Sequence, residues 1–406
     1  MLTLRIALRN LRRNGRRTTV TATAVTAATA LLVISLCLMD GMHAGTVHNA
    51  TAMVAGEVEV HAAGYRASPR IHRTVAAADR ILARAHQAGL DAVTRSYGDG
   101  LLALGTHTVG ARFWGIDPAA ERRAFELARH VARGAFLDAP GDGKAVPVVL
   151  GARLARSLHA EVGSEVAAIV QGDQGSMGSG LLRVTGILQA VSTEVDLGAA
   201  ILRRADFDVL FGAHAAVNEI ALTSHGRLPA DAVAAAVQEV AGGAEVLTWR
   251  GLSPGLAEML GVFSAFTWMA GVIFLASAAL GVTNTMLMAT FERFREFGVI
   301  LALGGGPRRV LLDVATEALV LGVAGGVAGA LLGLGGAAWL SVHGIELGGH
   351  ELLLSGVAFD SVWRARVTAE AVVLPALAMG VICALASLYP AARAARLDPV
   401  VAMAQR

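Results

Sequence analysis

Four stretches of the chain are apolar over lengths that suit a lipid bilayer, and the long region between the first two alternates instead. Residues 18–39 carry no charge. Twenty-two residues at a helical rise of about 1.5 Å span roughly 33 Å, enough for a hydrocarbon core of about 30 Å. Three more such stretches follow, at 260–290, 310–340 and 369–388. Between residues 43 and 259 the pattern changes. GEVEVHAAGY alternates like a strand, and 146–150, 181–188, 218–223 and 245–247 also predict strands. Helical spacing predicts helices over 74–87, 152–159 and 229–241. This inserted region is expected to be a mixed α+β domain with its own core, divisible into two subdomains. The loop 171–180, QGDQGSMGSG, has no apolar period and is expected at the tip of a hairpin.

Composition supports a membrane protein. Hydrophobic residues make up 54% and charged residues 16%, with a mean hydropathy of +0.56, whereas soluble domains carry about 25% charged residues. The net charge of +2 matters less than where the charge sits. Arg5, Arg9, Arg12, Arg13, Arg16 and Arg17 precede the first apolar run, Arg293, Arg295, Arg308 and Arg309 lie between the second and third, and Arg393, Arg396 and Arg406 follow the fourth. Four spans put all three groups on the cytoplasmic side together.

The expected layout is therefore a cytoplasmic Arg-rich N-terminus (1–17), span one (18–42), an extracytoplasmic α+β domain (43–258) and span two (259–290). A cytoplasmic connection (291–309), span three (310–340), an outer loop (341–368), span four (369–390) and a cytoplasmic tail (391–406) complete it. The first run is longer than the 7–15 residues of a cleaved signal peptide, so it is expected to stay as an anchor. Helix is expected to continue beyond spans one and two, over 43–49 and 252–259, as a stalk.

Candidate chemistry is sparse. Cys37 and Cys383 fall in apolar runs and are expected as packing residues. His43, His48, His61 and His72 show no H-E-x-x-H or Cys/His spacing, so no metal site is expected. Ser192, Glu194 and Asp196 stand together without a G-x-S-x-G elbow, so no catalytic residues are expected. The only lysine, Lys144, lies in Gly143-Lys144-Ala145 without the hydroxyl residue of a phosphate loop. ATP and Mg are thus expected on a partner ATPase, with no cofactor bound by this chain. The basic N-terminus is expected at the inner membrane surface, with no nucleic acid partner.

The connection 291–309 packs Glu292, Arg293, Arg295 and Glu296 against GVILALG and then breaks at Gly304-Gly305-Gly306-Pro307. Its residues alone allow a short helix lying on the membrane face or a solvated loop serving topology. In the third span, Gly322/Gly326 and Gly325/Gly329/Gly333 form small-xxx-small ladders, expected to pack against a partner permease or the second span. Asp313 and Glu317 mark either an ion path or an interface beside the connection.

The run Asn284…Glu292-Arg293…Arg295-Glu296-Phe297-Gly298…Ala302-Leu303-Gly304 resembles the N…ER-x-REIG-x-x-x-ALG signature of FtsX-like ABC permeases. The ending LYPAARAARLDPVVAM, the ALRNLRRNGRR start and the order of one span, a large outer domain and three spans are similar to MacB-like and lipoprotein-releasing members. The resemblance implies a MacB-like outer domain. It also implies a coupling helix over 291–304 that docks on a cytoplasmic ATPase. Phe291, Glu292, Arg293, Arg295, Glu296, Phe297, Gly298, Ala302, Leu303 and Gly304 would form it, the four charged residues touching the ATPase and the two glycines allowing close packing and the turn. Ile300-Leu301 stands where the family often has a basic residue.

The function so implied is the permease half of an ABC transporter of the bacterial inner membrane, with both termini cytoplasmic, paired with a second permease. ATP hydrolysis would drive extraction of lipoproteins or other amphiphiles, although the 171–180 loop lacks the proline of carrier-recruiting hairpins. MacB-like efflux of peptides, antibiotics or toxins, and FtsX-like control of cell-wall hydrolases, are the alternatives.

Overall fold

The computed structural model describes residues 9, 15–137, 145–172, 175–189, 192–213, 216–346, 353–354, 357–358 and 362–396. Arg5, Arg12, Arg13, Lys144 and the last ten residues lie outside these. The chain divides into two compact units, one of residues 1–44, 260–349 and 361–406, the other of 45–259 and 350–360.

The first unit holds four helices long and apolar enough to cross a membrane, α1 (Gly15–Ala50), α9 (Pro254–Glu292), α11 (Pro307–His343) and α12 (Ala369–Ala395). They are longer than the apolar runs because further turns extend α1, α9 and α11 at both ends and α12 at its C-terminal end. A π-helical turn, Thr51–Ala55, continues α1, and Pro254 at its head starts α9, so Leu252 and Ser253 stand outside that helix. Val25 of α1, Val282 and Met286 of α9, Ala318 and Leu321 of α11 and Met379 and Cys383 of α12 form one buried cluster. Hydroxyls bond between helices where no water competes: Thr21 Oγ1 donates to Thr285 Oγ1 at 2.8 Å and Thr283 Oγ1 to the Ala386 carbonyl at 3.2 Å.

The two glycine ladders of α11 face two different helices. A Cβ on Gly322 would stand 2.6 Å from Cys383 Cβ, and one on Gly326 2.9 Å from the Ala376 carbonyl oxygen, both on α12. On Gly325, Gly329 and Gly333 it would meet Val25, Thr26 and Val33 of α1, at 2.7, 2.5 and 2.7 Å. These glycines hold α11 between the first and fourth helices, not against the second span or a second chain as expected. Gly335, with nothing within 4 Å, is off both ladders.

The second unit joins a strand-closed barrel to a helix-backed sheet. Strands β2 (Asp91–Leu104), β3 (His107–Ile116), β8 (Ala199–Arg203), β5 (Val146–Leu150), β7 (Met177–Leu188) and β6 (Glu165–Gln171) follow one another by hydrogen bonding, and β6 returns to β2. Leu102, Phe113, Val148, Val166, Val184 and Leu202 fill this closed ring. β6 and β7 pair as far as Gln171 and Met177, so 177–180 of the expected 171–180 loop are strand, and 173–174 lie outside the described residues. The N-terminal half of β2 leaves the barrel and pairs with β9 (Glu219–Thr223), then β1 (Val58–His61), then β10 (Glu245–Thr248). Val58, Val60, Ile220 and Leu222 face helices α2 (Ala78–Gln87) and α7 (Ala230–Gln238).

Smaller elements are α3 (Pro118–Ala124), β4 (Val131–Gly134), α4 (Ala152–Leu158), α5 (Thr193–Gly198), α6 (Arg204–Phe211), α8 (Trp249–Leu252) and the two-residue strands β11–β14 in 345–363. Ser192 caps α5, its hydroxyl accepting from the Val195 N–H at 3.3 Å, so the STEVD run is a helix start.

Candidate functional site

The connection between the second and third spans folds as a helix. After α9 ends at Glu292, α10 covers Phe294–Ala302 and Gly304 takes φ +85°, a left-handed conformation that glycine adopts without strain. Pro307 then opens α11 behind Gly306. One face of α10 is buried: Phe297 packs with Val310 and Val314 of α11 and Ala391 and Ala394 of α12. Gly298 is also buried.

The opposite face reads Glu292, Arg295, Glu296, Val299, Ala302 and Leu303, all exposed at helical spacing, with Leu303 83% exposed. It runs from charged to apolar along 15 Å or so of helix. Phe291 lies beside this stripe, 45% exposed, edge-on to Phe294 and under the Arg393 guanidinium.

Arg293 does not share that face. Its side chain is 10% exposed, donates from Nη1 to Glu317 at 2.8 Å and from Nε to Glu296 at 3.0 Å, and lies over the Phe297 ring. The fold therefore uses Arg293 to tie α10 to α11, and its expected role as a contact to an ATPase does not fit its geometry. Glu317 is the other half of that tie, which places it at the connection and not on an ion path. Asp313, one turn before it, has a buried Oδ1 without a hydrogen bond.

A second polar centre lies in the sheet-rich unit. His61 of β1, Glu219 of β9 and Arg95 of β2 are register partners across three adjacent strands. Glu59 and Tyr97 sit two residues from His61 and Arg95, so the period of two places all five on one face. Arg95 is fully buried and bonds Glu121 of α3 at 2.6 Å, Glu219 at 2.8 Å and the Val54 carbonyl at 2.6 Å. The Tyr97 hydroxyl donates to Glu219 Oε2 at 3.0 Å, and Glu59 Oε2 lies 2.9 Å from His61 Nε2. Burial, reinforced by the charge of Glu219, pushes the Glu59 carboxyl up to about 7. Burial alone would lower His61, but the hydrogen bond to Glu59 and the charge of Glu219 outweigh it and raise the imidazole. Glu59, His61, Tyr97 and Glu219 border a cavity of about 780 Å³, with Met53, Tyr65 and Trp114 in its wall.

The sequence reading missed this centre. VEVH alternates as a strand with a solvated polar face would, and Glu219 is separated from His61 by more than 150 residues. What covers the polar face is α3 with Phe125, whose ring lies 4.7 Å from the Arg95 guanidinium.

Four apolar helices, a helical connection between the second and third, and a large sheet-rich insertion after the first describe a multi-pass membrane protein. Residues 268–399 match the family described as FtsX-like permease C-terminal. Over that third of the chain it is similar to FtsX-like permeases. It is 38% identical over 154 residues to the pyoverdine export ATP-binding/permease protein PvdT of Pseudomonas syringae pv. syringae (strain B728a), covering 36% of this chain and 19% of that protein. It is 28% identical over 224 residues to the uncharacterized ABC transporter permease MJ1507 of Methanocaldococcus jannaschii, covering 54% of this chain and 53% of that one. The chain thus spans about half or less of the length of these relatives. The periplasmic region of MacB from Actinobacillus actinomycetemcomitans aligns at 12% identity and a TM-score of 0.34, over 49% of this chain and 91% of that structure.

Proposed function

We propose that the chain is a permease subunit that docks a separate cytoplasmic ATPase through the exposed face of α10 and converts ATP hydrolysis into movement of its outer domain. The observation that carries this reading is the two-sided build of α10. Its inner face is locked to α11 and α12 by Phe297 and the Arg293–Glu317 pair, while Glu292, Arg295, Glu296, Val299, Ala302 and Leu303 stay exposed. A helix anchored that way moves its parent spans when it is pushed. Arginine placement supports cytoplasmic termini and an extracytoplasmic sheet-rich unit, in the inner membrane of a bacterium. ATP and Mg would sit on the partner ATPase, and two permease chains, alike or different, would pair with two ATPases.

The cargo we favour is a lipoprotein or another amphiphile held in the outer leaflet. At about 0.8 kcal/mol per buried CH₂, a chain of roughly 15 methylenes costs about 12 kcal/mol to extract, so such cargo needs a driven step. Export of a soluble or amphiphilic product is the second reading, favoured by the likeness to a protein named for pyoverdine export.

Photo-crosslinking residues at Val299 and Leu303, in cells of the native host, test the docking face. Capture of an ATPase with a phosphate loop is the expected result; capture of no ATPase from either position, with the chain in the membrane, removes the assignment. Depleting the protein should leave lipoproteins in the cytoplasmic membrane, and an unchanged lipoprotein distribution would turn the reading to export.

A further inference from the structure

We propose that Glu59, His61 and Glu219 form a binding site for a divalent transition-metal ion, of which Zn²⁺ is the best match to the ligand set. One imidazole and two carboxylates are the donors zinc takes when a fourth position is left for water or a ligand. The three donor atoms lie within 4.8 Å of one another, with His61 and Glu219 buried and the Glu59 side chain 12% exposed. The site is independent of which cargo the permease moves.

The outer shell is in place. His61 Nδ1 faces the Asn218 carbonyl at 3.3 Å and can donate to it, while Nε2 points the other way. There it meets a carboxylate oxygen of Glu59 at 2.9 Å, a proton bridging the two until a metal ion takes its place. Glu219 is oriented from both sides by Arg95 and the Tyr97 hydroxyl. Asn218 is itself fixed, its amide donating to the Ile71 and Arg73 carbonyls at 2.9 Å.

Two observations outside the ligand set point the same way. The cluster is short of positive charge. Arg95 faces Glu121 and Glu219 together and Glu59 has only His61, so three carboxylates share one arginine and one histidine. A divalent cation makes up that shortage. In addition, Trp114, 2% exposed and in the wall of the same cavity, carries an indole N–H with no acceptor. A water or an anionic group on the open coordination position is an acceptor of the kind that donor lacks. The cavity, bordered by all three ligands, is the entry path. Bound there, the ion would clamp β1 to β9 and, through Glu219 and Arg95, to β2.

The full chain purified in detergent, stripped with a chelator and dialysed against Zn²⁺, should hold one zinc per chain and unfold at a higher temperature than the stripped protein. Glu59→Gln and His61→Gln should each weaken zinc binding by at least tenfold and abolish the thermal shift. Tyr97→Phe keeps every ligand and loses only an outer-shell hydrogen bond, so it should weaken binding about tenfold while leaving the metal-free fold intact. This variant keeps the test decisive if a ligand variant fails to fold. Four results would overturn the site: no zinc above background in the wild type, equal zinc in the Glu59, His61 and Tyr97 variants, an equal thermal shift with Mg²⁺ or Ca²⁺, or zinc lost on replacing His107 and His159, whose rings lie 4.4 Å apart elsewhere in the unit.

Discussion

Two buried arginines do opposite jobs in the two units. Arg293 caps the head of α10, just past the end of α9, and meets Glu317 of α11 and Glu296 of α10. It joins two elements and keeps its neighbours' other faces exposed. Arg95 lies inside a sheet, fully buried, between Glu121 and Glu219, while a third carboxylate, Glu59, is left to a histidine. A buried pair is costly to break because removing one partner leaves an uncompensated charge. The same physics therefore yields a mechanical tie in one unit and an electrostatic demand in the other.

The largest effect should come from Arg95→Met, which strands Glu121 and Glu219 together. A loss of about 3–5 kcal/mol is expected, read by denaturant unfolding of the purified chain. A loss under about 1 kcal/mol would mean the cluster is relaxed by water or protons. Arg293→Met should cost less, about 2–3 kcal/mol, since Glu296 is half in water and only Glu317 is stranded. Adding Glu317→Gln should return much of that loss. If it returns none, the two residues are not a tie.

Smaller again is Gly329→Ala. A Cβ there stands 2.5 Å from the Thr26 carbonyl oxygen, backbone that has no rotamer to change, so about 1–3 kcal/mol of overpacking is expected, read as a drop in Tm in detergent. Gly335→Ala, with open space around it, should be neutral or slightly stabilising. Equal effects at the two positions would contradict the ladder assignment.

How far the sequence carried differs between the units for the same reason. The four spans and the charge between them were legible because lipid imposes length and polarity on every residue, and the 146–150 strand agrees with β5 residue for residue. The sheet-rich unit was half read. β2 and β3 were missed because β2 serves two sheets and carries Arg95, Ser96 and Tyr97 in mid-strand, which breaks both the alternating and the apolar pattern. The helix predicted over 74–87 starts only at Ala78, and Val75 instead bonds the Val217 carbonyl. Arg293 looked like one charge among four in the connection, and only the fold shows that it faces inward. For the buried cluster, no local spacing links Glu59 and His61 to Glu219, because strand pairing and not sequence distance brings them together.

The smallest expected change in stability comes with the largest functional claim. Glu292→Ala and Leu303→Asp both alter the exposed face of α10 and should move the folding stability by about 0.5 kcal/mol or less. With the ATPase captured by the wild-type chain, the decisive measurement is its affinity for the purified double variant. A loss of at least tenfold, with Tm unchanged, is the result this account predicts. Unchanged affinity and unchanged ATP hydrolysis would show that the ATPase docks elsewhere.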